Sequence, residues 1–226
     1  MQVFPSGGIA PTHLAFDPIH NHVYVANYGG SFSAFKVDPK DGKILERVYN
    51  EAFGPGSNAV PDRQKEAHPH AVNVFKDNVY VTDLGSDKIW HYKIDGNSVI
   101  RKVGFIDTPK GHGPRHMAIY EPLNIAYVIF ELESKIAIYK IDPYSGDMVF
   151  EKTVPVMDVS GIVGRFCISR NHTKANQFLF SENEVQYGAE IAIHPKKPIL
   201  YVSNRGDGPL LVYDIKPNGH LLRKQV

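Results

Sequence analysis

The chain has 226 residues, with 25 basic and 24 acidic side chains and a formal net charge of +1. That length can bury a core as one domain or two small ones. The charge balance excludes a global field drawing the protein to nucleic acid or to a membrane surface, so neither is an expected partner. The lone Cys167 forms no internal disulfide, the N-terminus "MQVFPSGGIAPTHLAF" lacks the basic start and apolar run of a signal peptide, and no apolar run approaches the roughly 20 residues that cross a bilayer. A soluble protein of a reducing, cytoplasmic compartment is the expectation.

In chain order, four segments follow one template: "THLAFDPIHNHVYVANYGGSFSAFKVDPKDGKIL", "PHAVNVFKDNVYVTDLGSDKIWHYKIDGNSVI", "RHMAIYEPLNIAYVIFELESKIAIYKIDPYSGDMV" and "EIAIHPKKPILYVSNRGDGPLLVYDIKPNGHLL". Each offers an apolar run, a turn, a second run around "VYV" or "LYV", a polar loop and a third run. The turns "DPKDG", "DPYSG" and "KPNG" end in a glycine preceded by Asp, Ser or Asn, the chemistry of tight hairpins whose central residues need positive φ. Tyr, Val, Ile and Phe dominate the runs, and no period of 3.6 persists long enough for a substantial helix.

The residues that open the first run are His13, His70, His116 and Glu190. The spacing from His70 to His116 matches the roughly 40–50 residues of one four-stranded propeller blade. The two longer spacings hold insertions, at residues 50–69 and around 158–180, which read as long loops because the repeat resumes after each. The pattern predicts an all-β fold: a single β-propeller domain over residues 1–226 with four-stranded antiparallel blades, four or five of them. An arc of that size leaves strand edges open, which offers a route to self-association.

In a meandering blade, the residue before the first strand and the residue after the second share a face near the axis. One set is His13, His70, Arg115 with His116, and Glu190. The other is Asn27 with Tyr28, Asp83, Phe130 with Glu131, and Asn204 with Arg205. The mouth so formed suits a small anionic ligand, since arginine forks bind carboxylate or phosphate bidentately and His beside Glu can exchange protons near neutral pH. Asp83 and Asn27 are expected to cap turns. His20, His22, His68, His91, His172, His194 and His220 have no consistent place in the pattern and read as surface or loop residues. No metal is expected: His112 and His116 would converge only on a helix, and Pro114 sits between them ahead of a strand. No Walker loop, dinucleotide fingerprint or nucleophile elbow is present, and no cofactor is expected.

"QKEAHPHAV", "VYVTDLGSDKIWHYKI", "GHGPRHMAIY" and "AEIAIHPKKPILYVSNRGDGPLLVYDI" closely resemble the lactonase family of seven-bladed propellers, from about residue 7 to the end. The family includes the propeller-type 6-phosphogluconolactonases and the fungal carboxy-cis,cis-muconate cyclase. Against seven blades the chain would be incomplete at both ends. The resemblance implies a metal-free site of one His, two Arg and one Glu, which motif by motif are His70, Arg115, Glu131 and Arg205; from their place in the blade pattern, His116, His13 and Glu190 are expected beside them for substrate. Relatives often carry Asn where this chain has Phe130. The implied activity is hydrolysis of a small anionic lactone such as 6-phosphogluconolactone, a pentose phosphate pathway step, with His70 or Glu131 as base. Lactonising cyclisation of a carboxymuconate and a non-catalytic binding module are the alternatives. An enzyme should lose activity in Arg115→Ala or Glu131→Ala without unfolding, whereas a docking module should tolerate both.

Overall fold

The computed structural model describes residues 2–156, 187–205 and 210–224. The described residues form four four-stranded antiparallel sheets, each a simple meander. The first holds β1 (Pro11–Asp17), β2 (His22–Asn27), β3 (Ser31–Val37) and β4 (Ile44–Ala52); the second holds β5 (Pro69–Phe75), β6 (Asn78–Asp83), β7 (Lys88–Ile94) and β8 (Ile100–Asp107). The third holds β9 (Pro114–Tyr120), β10 (Ile125–Phe130), β11 (Lys135–Ile141) and β12 (Met148–Pro155), and the fourth β13 (Tyr187–Ile193), β14 (Ile199–Arg205), β15 (Leu211–Ile215) and β16 (Leu221–Arg223). The expected all-β architecture of four-stranded blades is therefore present. Among the described residues the one helical segment is a 3-10 turn, Glu121–Leu123, and no helix is long and apolar enough to cross a membrane.

The hairpin turns form where the Asp-Gly, Ser-Gly and Asn-Gly pairs put them: Gly42, Gly146 and Gly219 have φ of 72°, 81° and 81°, a region glycine enters without steric penalty. The innermost strands β1, β5, β9 and β13 neighbour one another in that order, and a separate apolar layer fills each space between successive blades. Tyr24, Phe32, Val72 and Val81 lie between the first two, Tyr80, Met117, Phe130 and Tyr139 between the next two, and Tyr127, Ile138, Ile191 and Val202 between the last two. This explains why β6 and β10 are buried at every position: both faces of a central strand are covered, which requires a continuous apolar run. The outermost strand β8 alternates instead, with one face in water. Blades are also latched by hydrogen bonds, since the Tyr80 hydroxyl donates to the Gly146 carbonyl of the next blade at 2.6 Å and that of Tyr127 to Gly219 at 2.8 Å.

Several details differ from the sequence expectation. The first insertion is shorter than residues 50–69, because residues 50–52 finish β4 and Pro69 begins β5. The second, with His172, lies almost wholly outside the described residues. His22 and His91 are buried, not at the surface. His91 donates from Nε2 to Asn78 Oδ1 (2.9 Å) and stacks on Tyr80, while His22 meets the Tyr24 hydroxyl at 3.3 Å, so each imidazole finds the partner that a buried polar ring requires.

One flank of the first blade has no neighbouring blade among the described residues. Leu14, Val72, Met117 and Ile191 occupy one rung of their blades, each opposite the valine of the "YV" pair. Three are buried, but Leu14 is 64% exposed. Leu14→Ala should therefore change stability by no more than about 0.5 kcal/mol, while Ile191→Ala should cost about 2–5 kcal/mol. Urea titration of both variants checks this, and equal losses would mean that Leu14 is covered in solution. The self-association expected from open edges rests on this same flank, and light scattering tests it.

Candidate active site

The functional side chains owe their placement to one repeated irregularity. Every innermost strand breaks register at its mouth end: between Pro11 and His13, Pro69 and Ala71, Pro114 and His116, and Gly188 and Ile191. A bulge leaves a residue out of the ladder and re-aims its side chain. The residues left out are Thr12, His70, Arg115, and Ala189 with Glu190, so three of the blades use the bulge to deliver a candidate site residue. Pro114 opens β9 where no ladder donor is needed.

Glu131, immediately after β10, is almost fully buried, with a side chain 2% exposed, and three guanidinium groups converge on it. Arg115 Nε lies 2.9 Å from Oε2, Arg205 Nη2 lies 2.6 Å from Oε1, and Arg63 Nη2 also reaches Oε1. Burial alone would raise the Glu131 pKa, but hydrogen bonds from Arg63 and Arg205 and their charges outweigh it and hold the carboxyl below its usual range. Burial lowers the Arg115 pKa, with the Glu131 charge opposing. The cluster of three cations and one anion carries a net charge of +2. Arg63 and Arg205 flank the Tyr187 ring, each 5.5 Å from its centroid, and Arg115 Nη1 is anchored on the Ala189 carbonyl at 2.7 Å.

Beside this cluster runs a chain of imidazoles. Glu190 Oε1 is 2.8 Å from His116 Nδ1, and His116 Nε2 is 3.1 Å from His70 Nδ1. A carboxylate only accepts, so His116 Nδ1 donates to Glu190. In the neutral ring Nε2 is then an acceptor, which the Arg115 Nη1 donor 3.4 Å away also favours. It accepts from His70 Nδ1–H, leaving His70 Nε2 with its lone pair. Burial, the Arg115 charge and His116 together push the His70 pKa down to about 3, so this imidazole is neutral near pH 7. His13 accepts from the Val72 amide through Nδ1 at 3.3 Å, packs edge-on against His116, and is also shifted down, chiefly by burial. Glu190 is held below its usual range: burial raises it, but the hydrogen bonds from His116 and the Ile191 amide and the nearby Arg115 charge outweigh it.

The structure thus brings His70, Arg115, Glu131, Arg205, His116, His13 and Glu190 into one contiguous mouth. Phe130 turns away into the core and meets His112 edge-on at 5.1 Å. Asp83 caps its turn through the amides of His68, Gly85 and Ser86. His68 stands closer to the mouth than expected, stacked on Tyr28 at 4.3 Å. Among the described residues no three His, Cys, Asp or Glu side chains are grouped to hold a metal ion.

Arg63 was missed because it belongs to the insertion, where nothing in the repeat template points to it. Its loop is fastened by Gln64, whose amide donates to the Leu84 carbonyl and to Asp87 Oδ1, both at 2.8 Å. Asp87 also accepts from Ser57 Oγ and from the amides of Gly111 and Gly113. One buried carboxylate therefore ties together the loop that bears Arg63 and the "GHGPRH" turn that presents Arg115.

The blades of this propeller gather arginines, histidines and a buried glutamate at one mouth. The family model "Lactonase, 7-bladed beta-propeller" matches residues 1–225, and the chain belongs to that family. It is 27% identical to the 6-phosphogluconolactonase of Bacillus subtilis, over 92% of this chain and 53% of the relative, and 26% identical to that of Pectobacterium atrosepticum, over 94% and 55%. Among solved structures, a Lactobacillus plantarum protein superposes with a TM-score of 0.73 at 26% identity, covering 95% of this chain and 56% of that one. A periplasmic gluconolactonase of Pseudomonas aeruginosa gives 0.76 at 22% identity, covering 94% and 55%, which bears on the fold alone. The chain spans about half the length of the relatives it matches.

Proposed function

We propose that the chain is a lactone hydrolase whose preferred substrate is 6-phosphogluconolactone. The observation that carries this reading is a set of three guanidiniums on one buried carboxylate, beside an imidazole kept neutral whose Nε2 has no hydrogen-bond partner among the described residues. Arg115 and Arg205 hold the anionic substrate and offset the charge that develops on the carbonyl oxygen during attack. His70 takes the proton from the attacking water, because its Nε2 lone pair faces the mouth unengaged by the described residues while both oxygens of Glu131 are taken up by guanidiniums. Glu131 instead fixes the spacing of the arginines. Water oxygen bonds to the lactone carbonyl carbon and its proton passes to His70 Nε2. The tetrahedral intermediate then expels the ring oxygen, which recovers that proton, giving 6-phosphogluconate and neutral His70. The resemblance to 6-phosphogluconolactonases supports the substrate class, and cytoplasmic location remains part of this reading.

The test is hydrolysis of freshly generated 6-phosphogluconolactone by the 226-residue chain, measured against spontaneous opening, with Arg205→Ala alongside. Turnover above background that falls at least tenfold in the variant is expected, since one charge-assisted hydrogen bond is worth about 1.5–3 kcal/mol. A folded wild-type chain without turnover would overturn the hydrolase reading in favour of a binding module or a carboxymuconate cyclase.

A further inference from the structure

We infer that Arg63, delivered by the loop between β4 and β5, is the residue that selects a doubly charged ligand group, a phosphate monoester, at this mouth. Glu131 is one carboxylate and already has Arg115 and Arg205 on it, so a third guanidinium is surplus to neutralising it. A partly buried surplus cation is unfavourable unless something else compensates it. Glu190, ionised beside Arg115, holds the net charge of the mouth to +1, and it is Arg63 that keeps it positive and adds a second open fork, which the several oxygens of a phosphate dianion can use and a single carboxylate does not need.

The three arginines also differ in access. Arg115 is the most enclosed, its side chain 16% exposed, while Arg63 and Arg205 are 32% and 48% exposed and sit against the same tyrosine ring. Arg63 and Arg205 are thus the pair open to an arriving ligand. Two planar forks flanking one ring can each present N–H donors to separate oxygens of one phosphate. Arg63 is not a trailing surface side chain. Its amide donates to the Val60 carbonyl at 2.9 Å, the next residue Gln64 is completely buried, and an antiparallel bridge between Pro55 and Glu66 closes the loop base. Placement fixed before binding lowers the entropy lost on binding. Arg63 is a positioning and specificity residue here, apart from the proton transfer assigned to His70.

The substrate class rests on the lactonase reading, but the binding preference does not, and the experiment separates them. Calorimetric titration with 6-phosphogluconate and with gluconate is run on the wild-type chain, Arg63→Met and Arg63→Lys. The kcat/KM ratio for 6-phosphogluconolactone over glucono-1,5-lactone is measured on the same proteins. The wild type is expected to bind 6-phosphogluconate at least tenfold more tightly than gluconate. Arg63→Met should lower that preference, and the kcat/KM ratio, about 10- to 100-fold, with Arg63→Lys in between because it keeps the charge and loses the fork. If phosphate preference is present and lost in Arg63→Met while no lactone is opened, the inference stands and the hydrolase reading falls. If lactones are opened but the preference is absent in the wild type or unchanged in both variants, the inference is overturned and the hydrolase reading stands. A wild-type chain that does not bind 6-phosphogluconate overturns the inference as well.

Discussion

His70→Gln is expected to lower kcat for lactone opening by about 10²- to 10⁴-fold, the usual contribution of a positioned general base, while the chain stays folded. Glutamine keeps a donor for His116 Nε2 and fills much of the same space, but it cannot accept a proton from water. The pH profile separates a base from a merely structural ring. Burial, Arg115 and His116 hold the His70 pKa near 3, so with glucono-1,5-lactone, which has no titrating phosphate, kcat/KM should stay level from neutral pH downward and decline only as pH approaches that value. A free imidazole would lose activity through about pH 6.5. Stability follows the same group with a definite sign. Between about pH 6.5 and 3 the unfolded chain binds a proton at His70 that the native state does not, so stability falls as pH falls through that window. His13, whose pKa is also lowered, acts in the same direction. A His70→Gln variant that keeps wild-type kcat removes His70 from the chemistry.

Glu131→Gln should be the most destabilising single change at the mouth. Removing one partner of a buried ion pair leaves uncompensated charge and costs about 3–5 kcal/mol. The lower end applies here, because Arg63 and Arg205 reach solvent and can relax. For a chain of this size, where each kcal/mol shifts Tm by about 2–4 °C, the expected fall is roughly 6–12 °C. This revises the expectation from sequence that truncating Glu131 leaves folding intact: the carboxylate carries three guanidiniums from three different parts of the chain. Adding 6-phosphogluconate should recover part of the loss, since an anion then supplies the missing charge. Thermal melts of both proteins with and without that ligand provide the check, and an unchanged Tm in Glu131→Gln would show that the arginines do not depend on their carboxylate.

The blades were legible because strand alternation, the "YV" runs and the Asp-Gly and Asn-Gly turns are local signals. Each sheet is a meander of strands consecutive in sequence, so its backbone pairing and turn chemistry are met within one repeat. His70, Arg115, Glu131 and Arg205 could be placed in one mouth for the same reason, since a repeated meander returns equivalent positions to one end of every blade. The burial of His22 and His91 was not legible, because it depends on Tyr24 and on Asn78 with Tyr80 lying beside them.

What the sequence determined by itself is therefore the strand order, the turns and the identity of most residues at the mouth, all set by interactions within one repeat. Only the tertiary structure decided how those residues act. It put Arg63 on Glu131 across a separation of 68 residues and made Glu131 a counter-ion through its surrounding guanidiniums. It also set the tautomers of His70 and His116 through Glu190, 74 residues beyond His116. Charge and proton positions depend on what is packed around a group, and that packing exists only once the blades stand side by side.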